Sequence, residues 1–346
     1  MSLTNKILIN TQPHLEYLGE KISIIGAGMV GMASAVSILN RRVTKNLVLV
    51  DAFGDKVKGE VLDLQHGALF LKHPIISGGN DYEATKGSKL YIITAGVRQI
   101  PGESRLNLTQ RNADIMVKLV PELMKHSPDA LILMVGNPCD VMTYVAWKAS
   151  GLPTHKVIGA GTTLDSARFK VNLAKKLNIN PEDIHAWIIG EHGDHSIALW
   201  SSINLSGMRL QHINQQIGTV EDSEDWIQCH KEVVGAAQAI QELKGYTNWG
   251  IGMSVAVMAK AIISNELNVF PVSVNAKGKY GIQDDVYIPL PAVLGCNGIT
   301  DIVDLHLSEK ELTALQNTAK VMKEVQDGVN LGSQAHKCNC TRCKKH

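Results

Sequence analysis

No run of about 18 apolar residues occurs in this chain, which excludes a membrane-spanning helix of ordinary length. The first ten residues interrupt their apolar positions with Thr4, Asn5 and Lys6, so no secretory signal is expected there. An excess of either charge is also missing. With 34 Lys and Arg against 33 Asp and Glu, no general field draws the protein to nucleic acid or to an anionic membrane, and the expected partner is a small molecule. Cysteine is scarce. Six in a chain of this size are too few and too scattered for a disulfide framework, which fits a reducing compartment and predicts a cytoplasmic protein. Internal repeats and low-complexity linkers are absent.

What is present is a chain of 346 residues that is 45% hydrophobic, enough for one large domain or two ordinary ones. Residues 1 to 20 show no steady period and read as an arm, with a short helix expected through Pro13 to Leu18. From Lys21, apolar runs alternate with helix-length segments: Ile22 to Ile25, Leu47 to Val50, Leu90 to Ile93 and Leu131 to Val135 read as buried strands. That rhythm predicts an α/β fold with a Rossmann-type doubly wound parallel sheet over residues 21 to 160. The pattern changes after about Gly151. Longer helices (Leu164 to Leu177, Ser223 to Leu243, Asn248 to Asn265, Ser308 to Asp327) mix with strands at Ala186 to Ile189 and Val269 to Asn275. A mixed α/β substrate domain is therefore expected over 161 to 331, with 332 to 346 as a tail.

The loop Gly26-Ala27-Gly28-Met29-Val30-Gly31 follows a strand and opens an apolar helix. Three glycines in that context permit a tight turn, close approach of a pyrophosphate and close helix packing, and the helix N-terminus faces the phosphates. Asp51 ends the next strand, where a carboxylate can accept both ribose hydroxyls and repel a 2′-phosphate. This favours NAD over NADP. A glycine turn alone can also bind nothing, and it is the strand context with Asp51 that points to a dinucleotide.

Three further features are candidates for chemistry: His192 in Gly190-Glu-His-Gly-Asp194, the helix start Leu164-Asp165-Ser-Ala-Arg168, and a loop from Arg98 to Arg105. Singly none decides. A lone histidine is more often structural, and Asp-x-x-Arg on a helix is more often an i,i+3 ion pair.

Together with these, the strings Gly59-Glu-Val-Leu-Asp-Leu-Gln-His-Gly, Gly102-Glu-Ser-Arg-Leu-Asn-Leu, Asn137-Pro, Thr143-Tyr-Val-Ala-Trp-Lys and Lys244-Gly-Tyr-Thr make the chain closely resemble the L-lactate dehydrogenases from about Lys21 to Val325. The resemblance implies hydride transfer between NAD and pyruvate or L-lactate, in an active site between the two domains. It implies that His192 exchanges a proton with the substrate carbonyl, that Asp165 orients its ring, and that Arg168 grips the substrate carboxylate in a two-pronged pair. Arg105 would polarise the carbonyl, Arg98 would reach the pyrophosphate, Asn137 would meet substrate or nicotinamide, and Thr247 would line the opposite wall. Relatives with an arm like residues 1 to 20 form tetramers, so a homotetramer is expected.

Malate dehydrogenases share this fold, and Gln99 bears on the choice between them. They place an arginine there for a second carboxylate, whereas neutral Gln99 leaves that charge without a partner and suits a methyl group. Arg98 stands one residue away, so malate remains the alternative, as does a broader 2-hydroxy acid specificity. The departures Gly136 before Asn137, His195, Gln238 and Gly250 bear on that breadth. A binding protein that had lost the chemistry would lack part of the constellation, and all of it is here. Cys338, Cys340 and Cys343, with His336 and His346, have spacing that could surround zinc, but a solvated tail fits them as well and no metal is expected. Cys139, Cys229 and Cys296 read as packing residues.

Overall fold

The computed structural model describes residues 19–97, 100 and 102–332; Arg98, Gln99, the arm through residue 18 and the cysteine-bearing tail lie outside them. A nine-stranded sheet forms the centre. Its parallel part contains β1 (Lys21–Ile25), β2 (Asn46–Val50), β3 (Ile75–Gly79), β4 (Ser88–Ile93), β5 (Leu131–Met134) and β6 (Val157–Gly159). They lie in the order β3-β2-β1-β4-β5-β6, the doubly wound arrangement in which the strand order reverses beside β1. After the short strands β7 (Ile184–His185), β8 (Ile188–Ile189), β9 (Ile197–Ala198), β10 (Asn204–Leu205) and β11 (Met208–Arg209), which pair outside this sheet, three antiparallel strands, β12 (Asn268–Asn275), β13 (Tyr287–Gly295) and β14 (Gly298–Ile302), extend it beyond β6.

The inner parallel strands β1, β2, β4 and β5 are largely apolar along both faces because helices cover both. Ile22, Ile24, Leu47, Leu49, Leu90, Ile92 and Leu133 are all fully buried. The covering helices include α1 (Met29–Asn40), α2 (Gly54–His66), α3 (Arg105–His126) and α4 (Cys139–Ser150). In the second half, α5 (Thr163–Leu177), α6 (Ile227–Lys244), α7 (Trp249–Ile263) and α8 (Glu309–Asp327) follow. Phe169, Leu173, Ile184, Ile188, Ile203 and Trp226 build a separate core there. Helix α8 starts at a capping box, with Ser308 and Glu311 satisfying each other's main-chain N–H groups.

Two expected elements differ. The stretch from Ala186 to Ile189 is not one strand: Ile184–His185 pairs with Asn204–Leu205, whereas Ile188–Ile189 pairs with Ile197–Ala198, so the chain changes sheets between them. The helix expected from Ser223 starts at Ile227 instead. Asp222 accepts hydrogen bonds from the N–H groups of Glu224 and Trp226 and from Asn214, a local turn that competes with the helix.

Candidate active site

The Gly26–Gly31 loop joins β1 to α1 at the end of the strand next to the order reversal. Gly26 has φ +106°, outside the range comfortable for a side chain, and a Cβ there would meet the Ala95 nitrogen at 2.7 Å. A Cβ on Gly31 would fall on the Gly26 carbonyl oxygen, so helix and strand can pack this closely only with glycine. At Gly28, the residue before α1, a Cβ would meet nothing within 4 Å. No side chain caps that helix and no acid occupies its first turn, so its N–H groups are available to a phosphate. Exposed Met29 and half-buried Val30 follow on the first turn.

Asp51 is fixed to this loop: its Oδ2 accepts from the Ala27 N–H at 2.7 Å and its Oδ1 from the Phe53 N–H at 3.2 Å. The carboxylate thus stands beside the phosphate cradle, where a ribose would follow. The residues present fit a dinucleotide. Gly26, Gly28 and Gly31 would hold its phosphates and Asp51 its ribose hydroxyls.

A histidine–carboxylate pair is built from the start of α5 and the loop after Ile189. Thr162 Oγ1 donates to the Ile188 carbonyl at 2.5 Å, and Ser166 Oγ accepts from the Ile188 N–H at 2.9 Å, which clamps the helix start to the strand leading to His192. Gly190, at φ +94°, turns the chain and donates to the Pro289 carbonyl at 3.0 Å. His192 and Asp165 then meet, with Nδ1 of the ring 2.6 Å from Oδ2 of the carboxylate. The second oxygen, Oδ1, accepts from Arg168 Nη1 at 3.0 Å. The i,i+3 ion pair and the histidine contact therefore coexist on one carboxylate.

Burial works against charge on both partners of this pair. For Asp165 it is outweighed by the His192 and Arg168 charges and their hydrogen bonds, which hold the carboxyl below its ordinary range. For His192, burial and the Arg168 charge oppose protonation, but the Asp165 carboxylate and the Asp140 charge prevail and push the ring up to about 9. The pair thus favours the imidazolium. Asp165 can only accept, so Nδ1 carries its proton toward the carboxylate and Nε2 is left for a substrate.

Arg105 is the first residue of α3, set there by Ser104, whose hydroxyl accepts from the Asn107 N–H at 3.2 Å. Its Nη1 donates to Asp194 Oδ2 at 2.7 Å, two residues from His192, so the arginine reaches the histidine loop but is engaged by an exposed carboxylate. Asn137 is exposed just beyond β5, and Thr247 is half-buried between α6 and α7. Gln99 and Arg98 lie outside the described residues. Gln238 is exposed and donates to Glu242, and a Cβ at Gly250 would sit 3.1 Å from Leu164. Cys139 and Cys229 are buried and Cys296 is half-buried, consistent with packing. Among the described residues no group of three His, Cys, Asp or Glu is placed to hold a metal, and no helix is long and apolar enough to cross a membrane.

Several polar residues were not singled out from the sequence. Asn112, buried inside α3, accepts from the Val97 N–H at 2.8 Å through Oδ1 and donates to the Asn137 carbonyl at 3.2 Å, tying the end of β4 to the end of β5. Asp140 and Ser273 form a second buried contact beneath the histidine loop. A polar side chain at an apolar helix position was the available signal for Asn112 and Asp140; their partners were not.

Residues 20–159 match the family described as lactate/malate dehydrogenase, NAD binding domain, and residues 162–330 match the lactate/malate dehydrogenase alpha/beta C-terminal domain. The chain is 47% identical over 328 residues to the L-lactate dehydrogenase B chain of Sceloporus undulatus, covering 95% of this chain and 98% of that one. It is 50% identical over 311 residues to the L-lactate dehydrogenase A chain of Eleginops maclovinus, covering 90% and 94%. Against the L-lactate dehydrogenase B chain of Homo sapiens the identity is 48% over 306 residues, covering 88% and 92%.

Proposed function

The chain belongs to the lactate/malate dehydrogenase family, and from that membership we propose that it is an NAD-dependent L-lactate dehydrogenase, reducing pyruvate to L-lactate and running in reverse. NAD supplies or accepts the hydride when bound. The observation that carries the reading is the contact of His192 Nδ1 with Asp165 Oδ2, which keeps a charged imidazole ready beside a guanidinium.

His192 donates from Nε2 to the carbonyl oxygen as hydride reaches the carbon, and takes the proton back in lactate oxidation. Asp165 fixes the tautomer and stabilises the charged ring. Arg168 turns its free guanidinium edge to the substrate carboxylate, a planar fork that a lysine cannot copy. Arg105 exchanges Asp194 for the carbonyl oxygen, placing positive charge where oxyanion character develops. The exchange costs little because an exposed ion pair contributes only about 0–1 kcal/mol. Asn137 meets the substrate or the nicotinamide, Thr247 lines the far wall, and Arg98 reaches the pyrophosphate with Met29 and Val30 beside it. Gln99 faces the substrate's methyl end, and its lack of charge favours pyruvate over oxaloacetate.

We place the division between cofactor and substrate domains at residues 160 and 161, and expect a cytoplasmic homotetramer acting in glycolysis. A wider range of 2-oxo acids is favoured by Gly250, where an alanine methyl would crowd Leu164. Turnover of 2-oxobutyrate and phenylpyruvate beside pyruvate tests that breadth. The main reading is tested by adding pyruvate to the protein with NADH: absorbance of NADH falls and L-lactate accumulates, whereas no loss with pyruvate would overturn it.

A further inference from the structure

Beneath the histidine loop lies a second carboxylate that the proposed reaction does not use directly. Asp140 is on the first turn of α4 and is 1% exposed. Its Oδ2 accepts the main-chain N–H of His192 at 2.9 Å, and its Oδ1 accepts from Ser273 Oγ on β12 at 2.5 Å. Three elements distant in sequence thus converge on one buried acid. Ser273 can approach because Gly159 on β6 lies against it, where a Cβ would come within 2.7 Å of the serine Cβ.

We infer that Asp140 is a positioning residue for proton transfer, holding the His192 segment by its main-chain N–H and adding a second negative charge that favours the imidazolium. The inference rests on the reading of His192 as proton donor. A buried carboxylate without a cation in contact is costly to keep, and an uncharged residue could satisfy one N–H and one hydroxyl at lower cost. The start of α4 offsets part of that cost through its positive end.

Burial pushes the Asp140 carboxyl up to about 6, with the Glu191 charge adding to the rise, while Ser273, the His192 N–H and the His192 charge pull it down. Between about 6 and about 9 it is therefore ionised while His192 holds its proton, and below that interval its charge is lost. The groups around the pair are few. From the histidine loop come His192 and Glu191, from α5 come Asp165 and Arg168, and β12 supplies Ser273. Cys139, beside Asp140 on α4, is a neutral thiol that burial and the Asp140 charge push up to about 12.

The test follows the pH dependence of His192 modification by diethyl pyrocarbonate, which acylates the neutral imidazole, together with NADH binding by fluorescence. In Asp140→Asn the midpoint of modification should fall by about half to one pH unit, the size expected for losing one charge several ångström away in a partly screened site. The NADH dissociation constant should stay within about twofold. Ser273→Ala, which keeps the carboxylate and removes one of its donors, should leave the midpoint in place or raise it slightly, and a fall as large as that in Asp140→Asn would overturn the assignment of the effect to the Asp140 charge. An unmoved midpoint in Asp140→Asn overturns the inference, whatever happens to turnover, because a merely structural link would not alter proton affinity. Should Asp140→Asn not fold, Asp140→Ser, which also removes the charge, decides in its place and an unmoved midpoint there overturns the inference. The functional reading fails separately, if acylating His192 in the unaltered protein leaves pyruvate reduction intact.

Discussion

Asp165 presents Oδ2 to Nδ1 of His192 at 2.6 Å while its other oxygen holds Arg168 at 3.0 Å. One carboxylate therefore positions both the ring proposed to exchange the proton and the guanidinium proposed to grip the substrate. Asp165→Asn should lower kcat for pyruvate by about 10²-fold or more, within the range that general acid catalysis contributes. It should also move the alkaline fall in kcat/KM to lower pH. Steady-state kinetics across pH check both effects.

The raised proton affinity of His192 fixes the sign of the pH dependence. Pyruvate reduction needs the imidazolium, so kcat/KM for pyruvate should hold steady through neutral pH and fall as pH rises through about 9. Lactate oxidation needs the neutral ring and should rise over the same interval. Folding follows the same linkage, since a group whose affinity rises from 6.5 on folding stabilises the native state below that value and loses this contribution as pH climbs through about 9. The Tm difference between the unaltered protein and His192→Asn should therefore shrink toward pH 9, as calorimetry would record.

Arg168 is partly buried and already committed to Asp165 through Nη1. In Arg168→Lys, a single ammonium cannot serve Asp165 and both oxygens of a substrate carboxylate. KM for pyruvate should rise roughly 10- to 150-fold, the equivalent of about 1.5–3 kcal/mol for a lost charge-assisted hydrogen bond. NADH binding measured by fluorescence should be unchanged.

How much of this was legible in the sequence depended on whether the relevant contacts are local. Strands β1, β2, β4 and β5 were readable as continuous apolar runs because both their faces are buried. Strand β3 was not, since Ile75 and Ile76 give way to Ser77, Gly78 and Gly79. Strand β13 carries Pro289 and Pro291, which argue against an interior strand, yet it lies between β12 and β14. Its proline carbonyls are still used, accepting from the N–H groups of Gly190 and Val303. At the site, the glycine loop and Asp51 stood out by their spacing and strand context, whereas Asp165, Arg168 and His192 were candidates to which only the family resemblance gave roles. Asp140 did not, because His192 lies 52 residues from it and Ser273 lies 133. Gln99, the position proposed to separate lactate from malate, rests on the sequence alone.

Cofactor choice should respond to Asp51, which the N–H groups of Ala27 and Phe53 hold beside the phosphate cradle. A carboxylate there repels the 2′-phosphate of NADPH, and like charges brought together cost several kcal/mol. Asp51→Ser should reduce the preference for NADH over NADPH by roughly tenfold or more in kcat/KM. Parallel assays with the two cofactors at fixed pyruvate check it.

A charged imidazole beside a guanidinium suits a substrate with one carboxylate and an uncharged far end. The ratio of kcat/KM for pyruvate to that for oxaloacetate, measured on the unaltered protein with NADH, tests it most directly. That ratio should be well above one and should invert in Gln99→Arg. Oxaloacetate as the better substrate of the unaltered protein would contradict it.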